Sequence, residues 1–532
     1  MSQPLQAMEL QGRSIIGFAR GQSTSDTFRG VNAATGDPLE PPYHSATDSE
    51  LDAAIGLAGS AFPVYRALPR QRRAAFLRQI AANLEALGDS LATRVMAESA
   101  LPEARVRIER GRTATQLRFF AAIVEEGSWV DARVDTADPS RQPFPKPDVR
   151  SMLFPLGPVA IFCASNFPLA FSVAGGDTAS ALASGCPVVV NAHFSHPGVA
   201  EMAGTAICDA ARETGMPDGV FSLLFSSGHH LGQGLVTHPG IKAVAFTGSR
   251  RGGEALMHLA QGRVEPIPFY AEMGSVNPVF LLPHAVEGGA ATWAAALHAS
   301  INNGVGQYCT NPGVLLVPRS RPGEEFASSL AEKMQSAPQS PMLNSGILGN
   351  YRRGVSARAA DARVRTLALS SGSAARNAVA ALFEADIDSF LGTPELSQEV
   401  FGPTSLMVRY GNAEDLLAVA QTMEGNLTAT IVAAPGDEET ARRLVAVLET
   451  KVGRIVFQGV PTSLEVCQSM VHGGPFPATS DGRSTSVGGR AIERFARLVC
   501  FQDAPDSLLP VELRNGNPAG IWRLVNGERT RG

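Results

Sequence analysis

The order of apolar and polar residues changes character once, near residue 151. Between 46 and 125, apolar residues recur at three- and four-residue spacing, as in "RQRRAAFLRQIAANLEALGDSLATRVMAES", which predicts amphipathic helices. Asp48 or Ser49 is placed to cap the first of them. "PSRQPFPKPDV", 139–149, is proline-rich and extended, too short for a domain linker. From 151 onward come apolar runs without polar alternation, "VAIFCAS", "PVVV", "GVFSLLF" and "KAVAFT", interleaved with helical stretches. Strands of that kind, each followed by a helix, predict a parallel sheet covered on both faces. Such sheets bind ligands beyond the carboxyl ends of their strands.

A second α/β unit is expected over about 280–470, from the strands "GVLLVP", "TSLMVRY", "LTATIVAA" and "GRIVFQG". The last sixty residues hold short strand-like pieces, "ARLVCFQ" among them, that need partners distant in sequence. At 532 residues the chain is too long for one core, so two or three compact units are predicted. A net charge of −5 offers no basic footprint, so no nucleic-acid partner is expected. No apolar run reaches the ~18 residues of a spanning helix, and the first residues lack a secretory pattern, so no membrane association is expected. Six scattered cysteines without a C-x-x-C argue against a disulfide framework and against a metal site, and predict a reducing cytoplasm.

Candidate chemistry follows the strand ends. Asn166, after "VAIFCAS", offers either an amide for a developing oxyanion or a turn cap. "GSRRGG" after "KAVAFT" is a glycine-rich turn of the kind that approaches phosphates, or a plain loop. Glu272 lies in an apolar strand, where burial raises a carboxyl toward general-base behaviour or an ion pair holds it. Cys309, in "NNGVGQYCTNPG", is the cysteine expected to be accessible; the others read as structural, with Cys467 undetermined. Glu399 and Phe401 precede a strand at a loop position suited to a ligand. Arg112 and Gln116 lie four apart on one helix face, and Arg112 is a candidate partner for a substrate carboxylate.

Together and in order, "FPLGPVAIFCASNFPLAF", "ALASGCPVVV", "AFTGS", "EMGSVNP", "GQYCTNPG" and "EVFGP" resemble the aldehyde dehydrogenase superfamily. "MVHGGPFPATSDGRSTSVGGRAIERFARLVCFQD" and "ESALPEARVRIERGRTATQLRFF" resemble its branch of 2,5-dioxovalerate (α-ketoglutarate semialdehyde) and NADP-dependent fatty aldehyde dehydrogenases. The resemblance implies a Rossmann-type parallel-sheet nucleotide-binding domain (1–130 and 155–272), an α/β catalytic domain (273–475) and a small β oligomerisation flap (131–154 and 476–532) that forms a homodimer. It implies NAD(P)-dependent oxidation of an aldehyde, with a semialdehyde as leading substrate, to the acid. Cys309 would be the nucleophile, Asn166 the oxyanion donor and Glu272 the base, acting through a thiohemiacetal and a thioester. The cofactor would contact Thr247, Gly248, Ser249 and Gly253, with Glu399 on the nicotinamide ribose and Phe401 beside the ring.

The chain departs from the family pattern where the adenosine ribose is held. Asn191 stands where a lysine is expected, His193 and Phe194 follow it, and His229 stands near an expected arginine. Two cationic contacts are thus missing, so either NADP or NAD remains open, with Arg250 and Arg251 as possible replacements. Two alternatives to oxidation follow: a redox-independent thiol esterase, or a cofactor-impaired non-catalytic homologue.

Overall fold

The computed structural model describes residues 9–372 and 374–532. The first eight residues, on which part of the leader reading falls, lie outside the described residues. The helical stretch resolves into four helices, Asp48–Arg66, Arg70–Ala86, Gly88–Ser99 and Glu103–Glu126. The first is capped by Thr47, one residue before the expected position. Its side chain accepts from the Glu50 N–H while the Glu50 carboxylate accepts from the Thr47 N–H. That reciprocal box satisfies two backbone donors, which neither Asp48 nor Ser49 does here.

The apolar runs form a seven-stranded sheet ordered Phe269–Glu272, Ala243–Thr247, Val159–Phe162, Val188–Asn191, Phe221–Leu224, Ile15–Ile16, Ala19–Arg20. The first five are parallel to one another, and Ile15–Ile16 pairs antiparallel with Phe221–Leu224. Valines 188–190 are fully buried, as a strand covered on both faces requires. A second seven-stranded sheet runs Arg365–Leu369, Ala381–Asp386, Thr404–Tyr410, Val314–Pro318, Val279–Leu281, Asn426–Val432, Val452–Phe457. Only Arg365–Leu369 is antiparallel to its neighbour.

A five-stranded sheet joins distant segments. Ala496–Gln502 pairs antiparallel with Val149–Pro155, which pairs with Arg133–Asp135, followed by Arg523–Val525 and Glu528–Thr530. Ala496–Gln502 is an edge strand, and this leaves Cys500 exposed, whereas Cys163, Cys186 and Cys208 are buried. Cys500 was expected to be structural. An apolar-looking strand carries no burial on a face that nothing covers. Within the segment expected with the flap, residues 478–480 pair with the edge strand of the first sheet, and 489–495 pack beside the helix Gly176–Ser184. The Met273 N–H donates to the Ala478 carbonyl and the Ala271 N–H to Ser480 Oγ.

No described helix is long and apolar enough to cross a membrane.

Candidate active site

The carboxyl ends of the first sheet's strands and the loops that lead into the second sheet's strands face a common crevice of about 190 Å³. The first sheet contributes Asn166 beyond Val159–Phe162, Thr247, Gly248 and Ser249 after Ala243–Thr247, and Glu272 at the end of its edge strand. The other half contributes Cys309, Glu399 and Phe401. Eight residues singled out from sequence therefore meet at one place.

Cys309 is delivered by an unusual turn. Gly304, Val305 and Gly306 all take left-handed φ values of 54°, 59° and 65°, after the helix Pro283–Asn302. A β-branched residue there is strained, so surrounding contacts must hold it. At Gly306 a Cβ would lie 2.2 Å from the carbonyl carbon of Gly402, so the cysteine loop and the Glu399–Phe401 loop touch backbone to backbone. Asn277 Nδ2 donates to the carbonyls of Cys309 and Asn311, each at 2.9 Å. Asn166 Nδ2 donates to the Gln307 carbonyl at 3.0 Å, which orients the amide and leaves its second hydrogen free.

His472, not singled out from sequence, completes the centre. Its Nε2 lies 2.9 Å from Glu272 Oε1 and 3.4 Å from Cys309 Sγ, and Ser486 Oγ donates to Glu272 Oε2 at 2.9 Å. Glu272 and His472 are both buried. Burial alone would raise the Glu272 carboxyl, but His472, Cys309 and Ser486 outweigh it and hold it below the usual range. Of the two expectations for Glu272, a carboxyl raised by burial or one held by a partner, the geometry matches the second. The Cys309 thiol is pushed well above its ordinary value by burial first and by the Glu272 charge second, with Arg112 pulling the other way. Glu399 is open to the crevice yet enclosed on its flanks, and loss of hydration raises its carboxyl to about 7.

The ribose-end residues lie at neighbouring strand ends rather than in the central crevice. Asn191 ends Val188–Asn191, and its Oδ1 is buried without a partner. That orphaned acceptor fits a ribose hydroxyl. Ser249 caps the helix Arg250–Gln261, accepting from the Gly252 N–H, while Gly253 sits where a Cβ would meet Met273 sulfur at 2.6 Å. A helix start with glycines at 252 and 253 fits a pyrophosphate. A dinucleotide is therefore compatible with these residues. His193 is packed between Phe194 and His196, and burial drives its pKa down to about 3. His229 is exposed at the start of the helix His230–Thr237. Arg250 is already paired, with Glu254 and Glu424 at 2.8 Å each.

Arg112 stacks over the Phe171 ring at 5.6 Å with its Nε and one Nη buried and unpartnered, and burial pulls its pKa down. Its neighbour Arg105 is neutralised by Glu109 at 2.6 Å. Gln116 is fully buried, with its Nε2 against Gly176, and does not open toward the crevice. Arg454, also missed from sequence, donates to the Pro461 carbonyl at 2.6 Å and to that of Ser463, so it holds the loop that brings Leu464 and Val466 against Phe167 and Phe171. A lone arginine in an apolar strand gives no signal in sequence that separates it from a surface charge.

A profile of the aldehyde dehydrogenase family matches residues 19–474. Alpha-ketoglutaric semialdehyde dehydrogenase 2 of Azospirillum brasilense is 47% identical over 525 residues, covering 98% of this chain and 100% of that protein. The alpha-ketoglutaric semialdehyde dehydrogenase of Acinetobacter baylyi is 44% identical, over 98% and 99% respectively. Lactaldehyde dehydrogenase from Escherichia coli shares the fold, with a TM-score of 0.80 at 20% identity over 92% of this chain and 99% of that one. These relatives support oxidation and lend nothing to ester hydrolysis or to loss of catalysis. The chain belongs to the aldehyde dehydrogenase family and is an NAD(P)-dependent enzyme that oxidises an aldehyde to the carboxylic acid.

Proposed function

We propose that the aldehyde is α-ketoglutaric semialdehyde (2,5-dioxovalerate), that Cys309 is the nucleophile and that NAD is the preferred cofactor. The observation that carries the substrate reading is Arg112. An uncompensated guanidinium taken out of water is costly, and an anionic substrate restores the balance. Arg112 and Arg454 both lie within electrostatic reach of the Cys309 sulfur, while the nearby carboxylate of Glu109 is taken by Arg105. The two near-full-length relatives carry the name of the same substrate.

The chemistry follows from the distances. Nε2 of His472, 3.4 Å from the sulfur, would take the thiol proton, and the imidazolium so formed would be held by Glu272 at 2.9 Å. The sulfur attacks the aldehyde carbon, and the free hydrogen of Asn166 meets the oxyanion, a contact worth about 2.7–4 kcal/mol of barrier. When bound, the nicotinamide supplies the hydride acceptor. Glu272, ionised and anchored by Ser486, then takes a proton from the water that hydrolyses the thioester on Cys309. Glu399 accepts ribose hydroxyls, with Phe401 beside the ring.

We assign nucleotide binding to the unit of the first sheet, catalysis to that of the second and oligomerisation to the third, and a reducing cytoplasm to a chain whose cysteines are unpaired. We read the free edge of Ala496–Gln502 as a homodimer face, because Leu498 stands 62% exposed on it.

Four outcomes test these readings. Arg112→Met lowers kcat/KM for the semialdehyde roughly 10- to 100-fold, mainly through KM, and spares uncharged aldehydes of similar length, as loss of one charge-assisted hydrogen bond requires. Equal losses on charged and neutral substrates in steady-state kinetics overturn the carboxylate role. Glu272→Gln abolishes thioester hydrolysis yet speeds alkylation of Cys309 at fixed pH, because the charge that raises the thiol is gone. Peptide mapping after iodoacetamide reads this, and slower alkylation contradicts it.

Calorimetry finds NAD bound more tightly than NADP. NAD affinity strengthens as pH rises through about 7, where Glu399 gives up its proton to become the ribose acceptor. Comparable tight NADP binding refutes the preference. Sedimentation finds a dimer that Leu498→Asp converts to monomer; a monomeric parent protein removes the interface reading.

A further inference from the structure

We propose that Glu272, Cys309 and His472 form an inhibitory site for a soft divalent cation, Zn²⁺ first among them. One carboxylate oxygen, the sulfur and Nε2 all lie within 4.8 Å of one another. A tetrahedral zinc with ordinary bond lengths places sulfur about 3.6 Å from nitrogen and nitrogen about 3.3 Å from oxygen. The free protein already holds these pairs at 3.4 and 2.9 Å. A few tenths of an ångström of expansion admits the ion. Three protein ligands leave a fourth position toward the crevice that Cys309 and Asn166 share.

The charge also closes. A thiolate and a carboxylate neutralise a dication, so the buried site ends neutral and neither anion is left alone. Binding takes the proton from the Cys309 sulfur to solvent and requires His472 neutral, with its hydrogen on Nδ1. That nitrogen is buried and unpartnered, and the ion takes the place of the hydrogen that Nε2 shares with Glu272. Ser486 fixes the second oxygen of Glu272 from behind, as outer partners of metal ligands do. Sulfur and imidazole favour Zn²⁺ over Mg²⁺ and Ca²⁺, which take oxygen ligands. The spacing argument against zinc in the sequence does not reach this cluster, because its ligands come from three distant segments. The bound ion would occupy nucleophile and base together, so it excludes aldehyde. Its binding is independent of which aldehyde is oxidised.

The test uses the chelator-treated full chain without substrate. Titration with ZnCl₂ in calorimetry is expected to show one ion per chain and about one proton released, with turnover lost and restored by EDTA. Co²⁺ in its place gives a thiolate-to-cobalt charge-transfer band and the intense visible bands of a tetrahedral ion. His472→Ala weakens Zn²⁺ binding by roughly 100-fold or more, and Ser486→Ala by about 10-fold, in line with the cost of losing an outer partner. Should His472→Ala not fold, Cys309→Ala carries the test through loss of the cobalt band. A band that survives Cys309→Ala, or binding unchanged by His472→Ala, moves the ion to Cys467 or Cys500 and overturns the proposal. Absence of zinc binding does the same while leaving the substrate reading untouched, since Arg112→Met kinetics test that separately.

Discussion

Everything at the centre depends on how the chain crosses from one sheet to the other. Glu272 ends the edge strand of the first sheet, and Val279–Leu281 begins inside the second. The passage between is pinned by a buried polar network. The N–H groups of Val276 and Asn277 donate to Asn426 Oδ1 at 2.9 and 3.2 Å, and Ser275 Oγ donates to Asn277 Oδ1 at 2.7 Å. Asn277 takes a left-handed φ of 47°, which asparagine tolerates better than most residues, and reaches across to the carbonyls that flank Cys309. One side chain thus ties the strand of the base to the loop of the nucleophile. In a low-dielectric interior such a network is rigid only when its members are satisfied, and a 1 Å error would separate sulfur from carboxylate.

How much of this could be read in sequence depends on whether a residue's role is local. Cys309, Asn166 and Glu399 sit at strand ends or glycine-bounded turns, and those signatures are contained in a dozen residues. The parallel sheets were legible because burial on both faces removes polar alternation from Val188–Val190 and its neighbours. His472 was not legible. It acts through partners at 272 and 309, and its own "VHGG" context is a loop with no period. Without it the direction for Glu272 stays open in sequence, since a buried carboxyl rises when alone and falls when paired. Cys500 fails for a related reason: an edge strand and a central strand share the same composition, and only pairing distinguishes them.

The crevice is electrically divided. Glu272 from the first sheet and Glu399 from the loop before Thr404–Tyr410 both line the crevice, whereas Arg112 lies over Phe171 and Arg454 holds the loop that brings Leu464 and Val466 to the same apolar cluster. Cys309 stands between them and feels both: Glu272 raises its thiol, Arg112 lowers it. In the free protein burial and Glu272 prevail, so the sulfur rests protonated and is a poor target for oxidants. A carboxylate arriving at Arg112 would weaken a favourable charge, so substrate binding does not by itself ionise the thiol. The proton must leave through a group already in contact.

His472 is that group, and the geometry explains why it stands between sulfur and carboxylate rather than beside them. A direct Cys309–Glu272 transfer would spend the base on the first half of the reaction and leave it protonated when water must be activated. In the proposed mechanism, with Nε2 at 3.4 and 2.9 Å from sulfur and carboxylate, the imidazole would take the first proton while Glu272 stays ionised beside it. The low Glu272 value, at odds with a simple buried base, then becomes a consequence of the pairing. Glu272, ionised and held by Ser486, would therefore remain available to accept the water proton in the second half of the reaction.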